Sequence, residues 1–307
     1  MRQNLLEYIC CPITHEKLEI KSIYLEKDGN VLNGKLISSS GVEFIIADGI
    51  PNLIPKSSQI ESETIQQFEN KSYVSILHKI GYNAIDIAQM DLLRYSIFSK
   101  IQFFMHNYLR GIVLEIGAGE NYLKKCCSAS YTEWVSLDYN VRSDSIDVLG
   151  DGQQLPFKDN VFDTIISVDV LEHVPNPEMF ISEMFRVIKP NGVVILSTPF
   201  FFYLHESPND FFRFSKFGLQ TLFDRIGFKV IEVTPIAGVI SIIGILTSIL
   251  FTKVFSFSKV LLKLFLRINR FVQIKLLLPI DKLFDKDKRF AQGHFIIAKK
   301  IISTEMQ

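Results

Sequence analysis

A doubly wound, mostly parallel α/β sheet is the fold the sequence predicts for most of the chain, and three observations predict it. Short apolar runs that end in glycine, an acid or proline recur from about residue 109: IVLEIGA, WVSLDYN, VFDTIISVDVL, GVVILSTPF and FKVIEVTP. Helix-patterned stretches such as PEMFISEMFRVIK stand between them. The first run closes in two glycines spaced G-x-G, within GIVLEIGAGEN at 111–121. Strands alternating with helices build a parallel sheet covered on both faces. A small β-rich N-terminal module and a helical hydrophobic insertion before the last strand complete the expected fold class.

The bulk properties agree with a folded, largely uncharged molecule. At 307 residues and 48% hydrophobic content the chain can fill one large core and a smaller one. Lys+Arg and Asp+Glu balance at 33 each, so no general field favours nucleic acid. The four cysteines form two adjacent pairs, Cys10–Cys11 and Cys126–Cys127, which is not a disulfide framework and fits a reducing compartment. The N-terminus MRQNLLEYICCP lacks a long apolar signal core, and a cytoplasmic location is expected.

Three segments follow in order. Residues 1–56 alternate short strand-like runs, KLEIKSIYL and GVEFIIADGIPNLIP, with Gly and Asn, as in a small β module. Residues 57–108 become helix-like and end in DLLRYSIFSKIQFFMHNYL, whose apolar residues recur at three and four. Residues 109–307 carry the strand–helix alternation, interrupted at 235–290 by the insertion.

The G-x-G turn places backbone N–H groups at the mouth of the sheet, because glycine permits both the tight turn and close approach of a ligand. Asp138, at the end of the next strand, lies about twenty residues on, where an acid accepts from both hydroxyls of a ribose. That pair suits a dinucleotide or another adenosine cofactor. Asn121 stands where a third glycine is common and is expected to cap the helix NYLKKCC.

The pieces VLEIGAGEN, SLDYN, GDGQQLPFKDNVFDTIISVDVLEHVPNPEMFISEMFRVIKPNGVVILSTP and IGFKVIEV resemble, in order, the class I S-adenosylmethionine-dependent methyltransferases of the type 11 group, whose sheet is Rossmann-like. The resemblance implies S-adenosylmethionine as cofactor. It implies that Glu115 lies near the methionine end, that Gly117 and Gly119 line the cofactor, and that Asp138 binds the ribose. Asp151 would accept from the adenine amino group beside the backbone of Gly152, and Asp169 would stand next to the methyl-transfer centre.

Methyl transfer requires alignment of acceptor and methyl and sometimes a base. His173 in LEHV and His205 in HESPNDFFRF are the candidate bases, since imidazole titrates near neutrality. Glu206, Asp210 and Arg213 are candidate acceptor-binding residues, Arg213 as an anion clamp or as the partner of Asp210. The aromatic residues of PFFFYLHESPNDFFRF serve either as core or as the wall of an apolar pocket.

The N-terminal ICCPITHEKLEI is similar to the zinc-ribbon-like activator subunits of tRNA and protein methyltransferases. It has only one partial ligand pair, Cys10 or Cys11 with His15, so no metal is assigned. Near the C-terminus, Val233 to Thr252 contains no charge and has the length of a bilayer span. In KVLLKLFLRINRFVQIKLLLPI, Lys259, Lys263, Arg267 and Arg270 recur at four, four and three, as in a basic interfacial helix. The last strand GHFIIAKKI must rejoin the sheet, so a single span is excluded. A membrane-surface hairpin over 236–280 is expected, with a re-entrant pair or a soluble cap over the active site as the alternatives.

Together these readings predict a methyltransferase acting on a small-molecule or lipid-linked acceptor at a membrane surface. An NAD-dependent oxidoreductase, sharing G-x-G and Asp138, and a non-catalytic membrane-associated scaffold are the alternatives.

Overall fold

The computed structural model describes residues 1–56, 92–141, 146–255, 257–277, 279–281 and 289–301. Near the N-terminus, strands β1 (Leu18–Lys27), β2 (Asn30–Ser38), β3 (Glu43–Ala47) and β4 (Ile50–Asn52) form an antiparallel meander. In β3 only Phe44 and Ile46 are buried, the period of two expected of a strand wetted on one face.

Helix α1 (Leu92–Tyr108) is the described part of the segment expected to be helical; residues 57–91 of that expectation lie outside the described residues. The strand–helix alternation then follows: β5 (Ile112–Ile116), α2 (Tyr122–Cys126), β6 (Glu133–Asp138), β7 (Val148–Leu149), β8 (Phe162–Val168), α3 (Pro177–Val187), β9 (Ile188–Pro199), α4 (Lys216–Ile226) and β10 (Phe228–Ile236). Strands β5 and β6 are buried almost throughout, as strands covered on both faces must be. Helix α3 starts where the sequence provides a cap: the Asn176 side chain accepts from Met179 N–H, and Pro177 fills the first turn. Its Phe180, Ile181, Met184 and Val187 share one buried face.

The eleven strands of the described residues join one sheet in the order β1-β2-β3-β4-β7-β6-β5-β8-β9-β11-β10, where β11 is Gly293–Lys300. Pairings from β4 to β9 are parallel, and β11 runs antiparallel to both β9 and β10. The N-terminal strands therefore extend the central sheet, through Asn52 opposite Leu149 and the Leu53 N–H to Leu149 carbonyl bond of 2.8 Å. They also share its core: Leu5, Ile9, Leu18, Leu36 and Ile46 pack in one cluster with Phe157, Phe162 and Phe180. Polar ties reinforce the junction, with Arg2 paired to Glu133 and Asp147, and Lys158 Nζ donating to the Glu7 carbonyl at 2.7 Å. Cys10 is buried there, and burial pushes its thiol up to about 11, so it is held as a thiol rather than a thiolate.

The uncharged run Val233–Thr252 is not one helix. Its first four residues complete β10, and helix α5 begins at Val239 and ends at Phe255. Helix α6 (Lys259–Phe271) turns back beside it and continues into a π-helical turn at Val272–Leu277. Because β10 and β11 are paired neighbours, the insertion leaves and re-enters the same sheet edge. Among the described residues no helix is long and apolar enough to cross a membrane.

The shared core carries a testable consequence. Ile9 is fully buried and bridges to Phe157, so Ile9→Ala should cost about 2–5 kcal/mol. Unfolding followed by calorimetry should then show one transition moved to lower temperature. An early separate transition for residues 1–56 would show that the N-terminal strands fold on a core of their own.

Candidate functional site

The winding of the sheet reverses at β5, with β6 and β7 on one side and β8 and β9 on the other. A reversal of this kind leaves a crevice beyond the carboxyl ends of the strands, because the connections depart to opposite faces. Register fixes what lines it. Ile116 lies between Leu137 and Ser167, so Gly117, Asp138 and Asp169 emerge side by side at one rim.

Gly117 and Gly119 both take positive φ, 76° and 54°. A Cβ on Gly117 would sit 2.2 Å from Val170 Cγ2, which closes that side of the turn to any larger residue. At Gly119 a Cβ would meet nothing within 4 Å, so the bare backbone borders open space. Asp138 organises this edge: its Oδ2 accepts from Gly119 N–H at 2.8 Å and its Oδ1 from Asn140 N–H at 2.9 Å. Asn121 does not cap α2 as expected. It adopts the left-handed conformation with no capping bond, and its amide donates to Ser136 Oγ at 2.9 Å beneath the loop. With its backbone turned left-handed and its side chain bonded inward, Asn121 takes the glycine's conformation and ties the loop to β6.

Glu115 is buried and accepts from Trp134 Nε1 at 2.9 Å. Burial pushes its carboxyl up to about 8 despite that bond, so at neutral pH it is held mostly as the acid. Asp151 closes a tight turn, Oδ1 accepting from Gln153 N–H at 2.8 Å, and Gly152 sits where a Cβ would fall 2.3 Å from the Phe180 ring.

At the tip of β8, Asp169 takes a left-handed φ of 53° and accepts from Ser197 Oγ at 2.7 Å. Burial and the neighbouring Glu172 push its carboxyl up to about 6. The loop after β9 folds back over this tip. It brings His205 against His173, their rings 4.7 Å apart edge to face, although 32 positions separate them in sequence. Glu172 lies between them, fully buried, with Oε1 at 3.7 Å from Nε2 of each ring. The sequence reading passed over Glu172; the signal was an acid directly before the histidine of LEHV, at a strand tip. Burial alone would lower the His205 pKa, but Glu172 and Asp210 outweigh it and move it upward. Asp210 is held below the usual carboxylate range against its burial by Arg213, whose guanidinium grips it at 2.7 Å, and by His205 N–H. Arg213 is thus the partner of Asp210, while the Glu206 side chain is exposed on the loop and lies outside the cleft lining.

A cleft of about 300 Å³, partly open to solvent, is lined by Ile97, Pro199, Phe202 and Ile236 on its apolar side and by Asp169, Glu172 and His205 on its polar side. The geometry suits a cofactor with a ribose diol. Each Asp138 oxygen has one backbone donor and lone-pair capacity left for a hydroxyl, and the open edge at Gly119 admits a ligand against the backbone.

Residues 114–196 match the methyltransferase domain family. S-adenosylmethionine is the cofactor of this methyltransferase domain, and the matched segment contains every residue assigned above to the cofactor. A probable S-adenosylmethionine-dependent methyltransferase of Mycolicibacterium smegmatis is 33% identical over 96 residues, 28% of this chain and 37% of that one. The ubiquinone biosynthesis O-methyltransferase of Rickettsia typhi is 25% identical over 162 residues, 46% of this chain and 62% of that one. The chain thus spans between about a third and three-fifths of the length of these curated relatives. A SAM-dependent methyltransferase structure from Archaeoglobus fulgidus aligns with a TM-score of 0.45 at 16% identity, covering 75% of this chain and 100% of that one.

The buried acid under the glycine loop gives the methyltransferase domain a pH signature. Glu115 binds its proton more tightly folded (about 8) than unfolded (4.5), so between those values the folded state holds more protons and stability falls as pH rises. Glu115→Gln keeps the acceptor for Trp134 and removes the titration. Melting temperatures of variant and wild type should agree near pH 4.5 and diverge in favour of the variant by pH 8. A constant difference across that range would contradict the assignment.

Proposed function

We propose that the chain transfers a methyl group from S-adenosylmethionine to a small-molecule or lipid-linked acceptor at the cytoplasmic surface of a membrane. The observation that carries this is the cleft beside the β8 tip. It is apolar on one side, bears Asp169, Glu172 and His205 on the other, and abuts the crevice at Gly117 and Asp138. The cofactor supplies the electrophilic methyl group. The residues of the chain align the acceptor and receive its proton, with His205 the candidate base and Asp210 facing its Nδ1 at 3.3 Å. The match over 114–196 supports methyl transfer over hydride transfer by an NAD enzyme.

The membrane part of the proposal is supported by an inversion in the insertion. Where α5 packs against α6 and the turn after it, Ser248, Thr252 and Gln273 are buried beside Leu262 and Leu266, with Gln273 Nε2 donating to the Gly244 carbonyl at 3.0 Å and Asn269 Nδ2 to Ser248 Oγ at 2.9 Å. The outward faces are apolar: Ile243, Leu246, Leu250 and Val254 on α5, and Val260, Leu264, Ile268 and Phe271 on α6 are all exposed by half or more. In water this arrangement is the wrong way round; against lipid it is the stable one. Lys259, Lys263, Arg267 and Arg270 are exposed along one flank of α6, placed for anionic headgroups. At 17 residues α5 is about 25 Å long at 1.5 Å per residue, short of the roughly 30 Å hydrocarbon core, which fits a hairpin that does not cross it. Its root is the cleft wall itself, since Ile236 precedes α5 by three residues.

Two experiments test the two parts. Asp138→Ala removes charge-assisted acceptors worth about 1.5–3 kcal/mol per bond, so titration calorimetry should show S-adenosylhomocysteine affinity down at least about tenfold. An unchanged dissociation constant in the folded variant would end the Asp138 assignment. In flotation assays the wild type should rise with anionic vesicles at low salt. Replacing Lys259, Lys263, Arg267 and Arg270 by glutamine, or raising the salt, should weaken that partitioning while cofactor affinity stays unchanged. A wild type that stays behind at low salt would make the insertion a soluble cap.

A further inference from the structure

We infer that Glu172, His173 and His205 form a binding site for one divalent transition-metal ion of the zinc class, at the edge of the acceptor cleft. Their candidate ligand atoms all lie within 4.8 Å of one another. The inference stands on their hydrogen-bonding state, independent of methyl transfer.

The outer nitrogen of each ring fixes the inner one. His173 Nδ1 lies 2.6 Å from the Asn209 backbone carbonyl, which only accepts, so Nδ1 carries the proton. His205 Nδ1 faces two acceptors, the Tyr203 carbonyl at 3.3 Å and Asp210 Oδ2 at 3.3 Å, so it too is the N–H. In the neutral rings both Nε2 atoms are then bare lone pairs, and both point at Glu172 Oε1. That oxygen is buried and has no hydrogen-bond partner, and 3.7 Å to each nitrogen is too long for a bond. With both rings neutral, three electron-rich atoms converge on one point. Glu172 is fully buried, and its other oxygen faces Thr198 Oγ1 at 3.4 Å.

A cation at that point resolves the conflict. Ligands held about 2.1 Å from a tetrahedral ion stand about 3.4 Å apart, so the 3.7 Å Glu172–histidine distances need shorten little, and the widest ligand pair, within 4.8 Å, closes by side-chain rotation. Two imidazoles and one carboxylate suit zinc, ferrous or cobaltous ions better than magnesium or calcium, which prefer all-oxygen shells. The outer shell is present as well: a backbone carbonyl on one ring and the Arg213-braced Asp210 on the other orient both ligands in the way metal-bound histidines require. Three protein ligands leave a coordination position free. Glu172 and His205 both line the cleft, so that position faces it and is open to an oxygen donor on the acceptor.

The test uses the full chain, stripped with a chelator and dialysed. Titration with Zn²⁺ by calorimetry and with Co²⁺ by visible absorption should show one ion per chain, with cobalt bands of a low-coordinate nitrogen–oxygen site. His205→Ala, on a partly exposed loop, should weaken binding at least about tenfold, as should Glu172→Gln, while Cys10→Ser leaves it unchanged. Circular dichroism checks that each variant is folded, and S-adenosylhomocysteine affinity, which should survive in His205→Ala, separates this result from failure of the methyltransferase reading. No stoichiometric binding by the wild type, or binding that persists in His205→Ala, would overturn the site and leave a proton shared between the two rings and Glu172 as the resolution.

Discussion

The in-register parallel pairing of β5 between β6 and β8 is the constraint on which the rest of the molecule depends. It places Ile116 level with Leu137 and Ser167, so that the glycine turn, Asp138 and Asp169 reach the rim together. The reversal of winding at β5 opens the crevice above them. Everything at the site is then attached by short bonds to this rim. Asp138 holds the turn through Gly119, Asn121 ties it to β6 from below, and Ser197 of β9 holds Asp169. A slip of one residue in either pairing would turn each of these side chains to the other face of the sheet.

The insertion is patterned differently from the domain that carries it. The sheet buries Val, Ile and Leu on both faces, whereas the hairpin buries Ser248 and Gln273 in hydrogen bonds beside Leu262 and Leu266 and leaves a broad aliphatic face exposed. Asp281 closes it by accepting from Ile240 N–H and from Ser241 Oγ at the start of α5, which satisfies the first turn and meets the helix dipole.

Much of this was legible in the chain. The apolar runs, the G-x-G turn, the acid of SLDYN and the return strand GHFIIAKKI marked the sheet and its rim because these signals are local and periodic. The union of residues 18–52 with the central sheet was not legible, since it rests on a single parallel bridge between Asn52 and Leu149 and on shared core volume. Asn121 misled because its type favours caps, and only the left-handed backbone shows it replacing a glycine. The grouping of Glu172, His173 and His205 was hidden by the loop after β9, which no short-range pattern predicts. The polarity of the α5–α6 seam was likewise unreadable until the pairing of the two helices decided which faces meet.

The central claim is that S-adenosylmethionine binds at the reversal point, against the glycine turn and Asp138. A crystal structure of the full chain with S-adenosylhomocysteine tests it most directly. The account predicts the ribose hydroxyls on Asp138, the backbone of Gly117–Gly119 along the ligand, and the sulfur directed toward the cleft at Asp169 and His205. A ligand bound elsewhere on the fold, or a ribose that leaves Asp138 without contact, would contradict it.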